Sequence, residues 1–362
     1  MKHSNAHRIV LFALVGVFAV LATGCGGGAG TDTGATGGQT EPAPPGTTAG
    51  AGGGASIKVG LVTDIGGLND RSFNALANEG LQQAQDELGI ENRVLVSRSN
   101  QDYVPNLSSL AKQNYDLVIA VGFLMADAVA VVAPRFPDTK FAIVDFSQAG
   151  LKGKPMNVRG LLFKEQEAGY VVGYLAGLIN ARESGSRQVI SSVGGLKIPP
   201  VDHYIAGFQA GANEANPNIT TLNGYSQDFV DQAKCKEVAL DQIAQGSDIV
   251  FQVAGGCGLG ALDAAREKNL WGIGVDADQS YLGDHILTSA LKKVDVAVFQ
   301  TIQSAQDGSF QGGEDSVFDI ASGAVGIGKI SDKVPADIAS KVQQVQEDVA
   351  AGRVASIPDV LK

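Results

Sequence analysis

The sequence predicts an α/β protein of two doubly wound, Rossmann-like lobes joined by a hinge. Three observations carry this. Apolar runs of strand length alternate with amphipathic stretches of helix length from Ile57 onward, the pattern of βαβ units on a parallel sheet. The alternation runs through twice in series of similar size, and 362 residues suffice for two such lobes. Three of the apolar runs close on an aspartate, at Asp64, Asp145 and Asp276. Open α/β sheets bind ligands beyond the carboxyl ends of their strands.

The chain before Ile57 is of another kind. Lys2 and Arg8 precede an apolar run from Ile9 to Ala22, too short to span a bilayer and typical of an export signal. It ends in Leu21-Ala22-Thr23-Gly24-Cys25, which resembles the lipobox of bacterial lipoproteins. Residues 1–24 are therefore expected to be a lipoprotein signal peptide and Cys25 the lipidated residue. Ala22 stands where leucine is usual, and a plain secretory signal is the alternative. Residues 26–55 are almost all Gly, Ala, Thr and Pro. Such a segment cannot bury enough apolar surface to offset its ordering entropy, and it reads as a tether reaching roughly 30 Å. Overall, 44% of residues are hydrophobic and 18% charged, with net charge −11 and no basic cluster, which argues against a nucleic-acid partner.

The first series reads strand Ile57–Thr63, helix Phe73–Leu88, strand Arg93–Ser97, helix Val104–Gln113, strand Leu117–Val121, helix Leu124–Ala133, then strands Phe141–Asp145 and Val158–Phe163. Phe73, Ala77, Gly80, Leu81, Ala84 and Leu88 lie close to one helical face, and Asp70 or Ser72 caps its start. The second series reads helix Glu165–Ala181, strand Val189–Val193, helix His203–Ala215, strand Thr220–Tyr225, helix Phe229–Ala244, strand Ile249–Ala254, helix Leu259–Lys268 and strand Gly272–Asp276. Strand Ile286–Leu291, helix Val294–Ala305, strands Ser316–Ile320 and Val325–Ile330, and helix Pro335–Ala351 complete the chain.

Val62-Thr63-Asp64, a glycine loop and Asn69-Asp70-Arg71-Ser72-Phe73-Asn74 before a helix resemble the basic membrane lipoprotein family, nucleoside-binding lipoproteins of the purine nucleoside receptor type. VDF at Val144–Phe146, GFQAGA at Gly207–Ala212, FQVAGGCGLGALDAA at Phe251–Ala265, GVDADQ at Gly274–Gln279 and TSALKKVD at Thr288–Asp295 follow in order. The resemblance covers about residues 57–300. It implies a type I periplasmic-binding-protein fold whose chain crosses between lobes three times. The first lobe is then 56–163 plus 284–322, and the second 164–283 plus 323–362. It further implies an exported, lipid-anchored receptor that captures a nucleoside and hands it to the permease and ATPase of an ABC importer. A monomer without cofactor or metal is expected.

The candidate site residues follow. Asp64, Asp145 and Asp276 meet if the lobes face each other. An ionised carboxylate only accepts hydrogen bonds, which suits ribose hydroxyls and a purine N–H. Helix capping or pairing with lysines is the alternative role. Phe73 either stacks on a flat ligand or sits in the core, and the resemblance implies stacking on the base. Gly255, Gly256, Gly258 and Gly260 read as a loop before the helix at Leu259, either a plain tight turn or a close backbone approach to ligand. The lysine and hydroxyl of a P-loop are missing from it. The resemblance implies that Lys292 or Lys293 reaches the ribose. Asn69 and Asp70 match its acidic or amide pair, and Asn74 reaches either base or backbone. Cys235 and Cys257 are either bridged, which an exported compartment permits, or free buried thiols.

Catalytic signals are weak. His3 and His7 fall in the signal segment, His203 and His285 lack a nucleophile motif, and neither G-x-S-x-G nor H-E-x-x-H occurs. A receptor of the same fold for a sugar, or a nucleoside hydrolase using the aspartates as acid and base, are the competing functions.

Overall fold

The computed structural model describes residues 56–183 and 188–361. The signal segment, Cys25 and the tether lie outside the described residues. The chain forms two sheets whose inner strands are apolar and buried on both faces, while Glu91–Leu95, Thr220–Tyr225 and Asp315–Phe318 are partly exposed at the edges. The first holds β1 (Lys58–Val62), β2 (Glu91–Leu95), β3 (Leu117–Ala120), β4 (Lys140–Val144) and β5 (Val158–Phe163). Between them run α1 (Phe73–Leu88), α2 (Tyr103–Lys112) and the short α3 (Ala126–Val132). After β5 the chain passes to the second sheet through α4 (Glu165–Glu183). That sheet takes β6 (Val189–Gly194), β7 (Thr220–Tyr225), β8 (Ile249–Val253), β9 (Trp271–Asp276) and β10 (Ile286–Lys292). Its helices are α5 (Pro199–Ala215), α6 (Gln232–Ala244) and α7 (Gly255–Glu267). Helix α8 (Val294–Asp307) and β11 (Asp315–Phe318) return to the first lobe; β12 (Val325–Ile327) and α9 (Ala336–Ala350) return to the second.

The strand orders are β11-β5-β4-β3-β1-β2 and β12-β10-β9-β8-β6-β7. Every pairing is parallel except that of β12 with β10. Each order reverses direction once, between β1 and β3 and between β6 and β8. Crevices for ligands open at such reversals. Asp145 and Asp276 each follow or end a strand with positive φ, 68° and 61°. Non-glycine residues in that region carry local strain, which collects at functional sites.

Three expectations need correction. The strand at Ile286 belongs to the second sheet, beside β9, so the return to the first lobe comes after Lys292 and not at 284. Helix α8 makes that return by packing on α1, where a Cβ on Gly80 would lie 2.3 Å from the Asp295 carbonyl oxygen. The glycines of 255–260 are the opening turns of α7, not a loop. A Cβ at Gly260 would meet the Gln232 carbonyl oxygen at 1.9 Å, so helix–helix contact is what requires glycine there. Phe229 stands in the loop before α6, not in the helix.

A second stripe of glycines sets the second lobe. Gly169 and Gly173 on α4 face Tyr204 and Phe208 on α5, while Gly207 and Gly211 face Gln166 and Tyr170. The two backbones touch along this seam. The seam brings the start of α4, with Glu165, alongside His203 and Tyr204 of α5.

Candidate functional site

The strand ends of both sheets converge on one cavity. From the first lobe it is lined by Asp64, Gly66, Asp70, Phe73, Asn74, Gly122, Phe123, Leu124 and Asp145. From the second come Ile198, Val201, Tyr204, Phe229, Gly255, Gly256, Asp276 and Lys292.

The first wall is organised by Asn74. Its amide nitrogen donates to Asp64 Oδ1 at 2.7 Å and to Asp70 Oδ2 at 3.0 Å, and its carbonyl oxygen accepts from the Asp64 N–H. Asp70 also accepts from the backbone N–H groups of Ser72, Asn74 and Ala75. Four donors fill the acceptor positions of its two oxygens, so Asp70 caps α1. Asp64 Oδ1 accepts a further bond from Gly66 N–H at 2.8 Å. Its Oδ2 takes none of these bonds and lies beside Gly122, where a Cβ would come within 3.2 Å of it. Gly122 has φ +121°, so it keeps this oxygen open as well as making the turn.

The second wall is organised by Lys292. Only 2% of its side chain is exposed. Nζ lies 2.7 Å from Asp145 Oδ2, which accepts its hydrogen bond, and 2.6 Å from Oδ1. It also donates to Glu165 Oε1 at 2.9 Å. The ammonium sits 5.1 Å from the Phe73 ring centroid and 4.9 Å from that of Phe163. His203 Nδ1 meets the other Glu165 oxygen, Oε2, at 3.1 Å. Tyr204 donates its hydroxyl to Asp276 Oδ1 at 3.3 Å. The network joins the lobes, since Asp145 follows β4 and Lys292 ends β10.

Burial and charge tune these groups. Burial lifts Asp64 to about 6 against the bonds from Asn74 and Gly66. Burial also lifts Asp145 to about 6 despite Lys292, and Asp276 to about 7 with Asp145 and Asp70 adding repulsion. Burial opposes charge on Lys292, but Asp145, Glu165 and Asp276 outweigh it and hold the ammonium above its ordinary range. Glu165 is buried too, yet Lys292 and His203 keep it below the usual carboxylate value.

The chain matches the model of the Bmp family, described as ABC transporter substrate-binding protein PnrA-like, over residues 57–358. The chain belongs to this family. It is 33% identical over 318 residues to a CD4+ T-cell-stimulating antigen of Listeria monocytogenes, covering 82% of this chain and 87% of that one. It is 31% identical over 320 residues to the ABC transporter nucleoside-binding protein BmpA of Lactococcus lactis, covering 82% and 88%. A crystal structure of an ABC transporter solute-binding protein from Aeropyrum pernix superposes with a TM-score of 0.75 at 26% identity, covering 83% of this chain and 94% of the other. The fold is the type I periplasmic-binding fold, and the chain is an ABC transporter substrate-binding protein.

The positions expected from sequence divide clearly. Asp64, Asp70, Phe73, Asn74, Asp145, Gly255, Gly256, Asp276 and Lys292 all line the cavity. Asn69 and Lys293 do not. Both are exposed and border an outer groove that meets the cavity at Asp276, and neither lines the cavity itself. Gly258 and Gly260 are buried inside α7. Cys235 and Cys257 are joined in a disulfide. Sequence reasoning missed Gly122, Glu165, Tyr204 and Phe229, whose partners lie on other elements.

Proposed function

We propose that this chain is a nucleoside receptor, purine-preferring, that delivers its ligand to the membrane subunits of an ABC importer. One observation carries the reading. The cavity offers an aromatic ring from each lobe, Phe73 and Phe229, together with open carboxylate oxygens, and Lys292 is already paired with Asp145 and Glu165. Such a site favours an uncharged ligand with a flat apolar face and several hydrogen-bond donors. A nucleoside has both, whereas a free sugar has no flat ring to stack. The name of the Lactococcus lactis relative agrees.

In this reading the base lies against the aromatic walls, the ribose hydroxyls donate to Asp276 and Asp145, and Asp64 Oδ2 takes a base N–H. The ligand touches both lobes and thereby stabilises the closed state over the open one. The chain binds and releases without turnover, held outside the membrane by lipid on Cys25 at the end of the tether. A thermal-shift panel tests this: adenosine, guanosine and inosine raise the melting temperature, and ribose alone does not. Stabilisation by free sugars instead, or release of hypoxanthine from inosine by the protein, contradicts it.

A further inference from the structure

We propose that the Cys235–Cys257 disulfide positions one wall of the binding cavity, so that cutting it weakens ligand binding while the fold remains. The proposal rests on the nucleoside reading for its probe ligand.

Cys257 is the third residue of α7, directly after Gly255 and Gly256, which line the cavity. Its N–H donates to the Phe229 carbonyl oxygen at 3.0 Å, and Phe229 lines the same cavity. Cys235 lies in the opening turns of α6, the helix into which the Phe229 loop runs. The bridge therefore ties the start of α6 to the start of α7 immediately behind the aromatic wall, with Cα atoms 5.6 Å apart. Both cysteines are fully buried.

The remaining attachments explain why the bridge matters to the wall more than to the fold. The Phe229 loop is held partly to itself, since the Asp228 carboxylate accepts from the N–H groups of Val230 and Asp231 and from Lys234 Nζ, and partly by the Phe229 ring against Gly195. At its start it hangs on the end of β6, through Ser226 N–H to Gly194 and Gln227 N–H to Gly195. On the side toward α7, the Cys257–Phe229 backbone bond stands next to the disulfide. The packing of α6 on α7 has its own supports, Gly260 against Gln232 within a turn of the bridge and Lys236 paired with Asp263 and Glu267. Without the bridge the helices keep their seam, but the starts of α6 and α7, which carry the Phe229 loop and the glycine turn, lose their covalent link.

The test compares the oxidised protein with the double variant Cys235→Ala, Cys257→Ala. Guanosine is titrated calorimetrically, with circular dichroism as the fold control. The dissociation constant is expected to rise at least tenfold with an unchanged spectrum. Amide exchange should quicken at residues 229–231 and 255–258 but not in the first lobe. A constant within twofold, or unchanged exchange at both segments, overturns the proposal. Should the variant fail to fold, the native protein decides. By reciprocal linkage, a tenfold preference for the bridged form lowers its reduction potential by about 30 mV in saturating guanosine, and no shift overturns the proposal. If guanosine does not bind the oxidised protein, the nucleoside reading has failed, and the exchange comparison alone judges the bridge.

Discussion

Replacing Lys292 by methionine isolates the charge at the centre of the network. Methionine keeps an unbranched stem of similar length, so the packing changes little while the ammonium is lost. The structure then leaves two carboxylates, Asp145 and Glu165, 6% and 2% exposed, without the cation that lies 2.6–2.9 Å from them. Removing one partner of a buried ion pair costs about 3–5 kcal/mol, because the remaining charge stays desolvated. Unfolding entropy of about 2.1 cal/mol/K per residue over roughly 300 folded residues gives about 0.6 kcal/mol/K, so the melting temperature should fall by about 5–8 °C. Calorimetry at pH 7.5 measures this directly. The loss should shrink at pH 5, because the orphaned carboxyls can take up a proton in the folded variant and shed the penalty. A variant that melts within 1–2 °C of the parent at pH 7.5, or whose deficit grows as pH falls, would refute the assignment of Lys292 as the neutralising centre.

The other expectations concern affinity, pH and packing. Asp276→Ala should weaken nucleoside binding at least tenfold by calorimetric titration, because a closed cavity then leaves hydroxyl donors unpaired; an unchanged constant removes Asp276 from the site. Asp64, Asp145 and Asp276 are raised to about 6, 6 and 7. Their folded pKa values thus lie above the unfolded carboxyl range near 4. They favour the fold below pH 4 and lose that contribution as pH climbs through 6–7. The ligand-free protein should therefore melt lower at pH 7.5 than at pH 5. Nucleoside affinity should change the opposite way, since the ligand needs ionised acceptors; parallel slopes would sink this account of the cluster. Gly211→Ala should destabilise the second lobe by about 1–3 kcal/mol, since its Cβ would lie 1.9 Å from the Tyr170 carbonyl oxygen, and a chemical-denaturation midpoint equal to the parent's would contradict the seam.

Much of the fold was legible because the inner strands, such as Leu117–Ala120 and Ile249–Val253, are apolar runs bounded by turn residues. Helix α1 spans Phe73–Leu88, as its apolar spacing predicts. The failures share one cause: partners distant in sequence. Glycine has poor helix propensity, so Gly255–Gly260 read as a loop, whereas Gly258 is pressed on Gln252 and Gly260 on Gln232, and both contacts demand small residues in a helix. Ile286–Lys292 carries no local mark of which sheet it joins; β9 decides that. The site was half legible. Aspartates at strand ends announce themselves by position. Glu165 looks like any acidic residue in a first helical turn, and its role emerges only with Lys292, 127 residues away. Lys292 and Lys293 are equivalent as text; the strand's end buries one and leaves the other in solvent.

A crystal structure of the protein grown with guanosine addresses the central claim most directly. The account predicts density for the nucleoside between the lobes, its base against Phe73 and Phe229 and its hydroxyls on Asp276 and Asp145. An unoccupied cavity at saturating guanosine, or a ligand bound elsewhere with those carboxylates untouched, would contradict it.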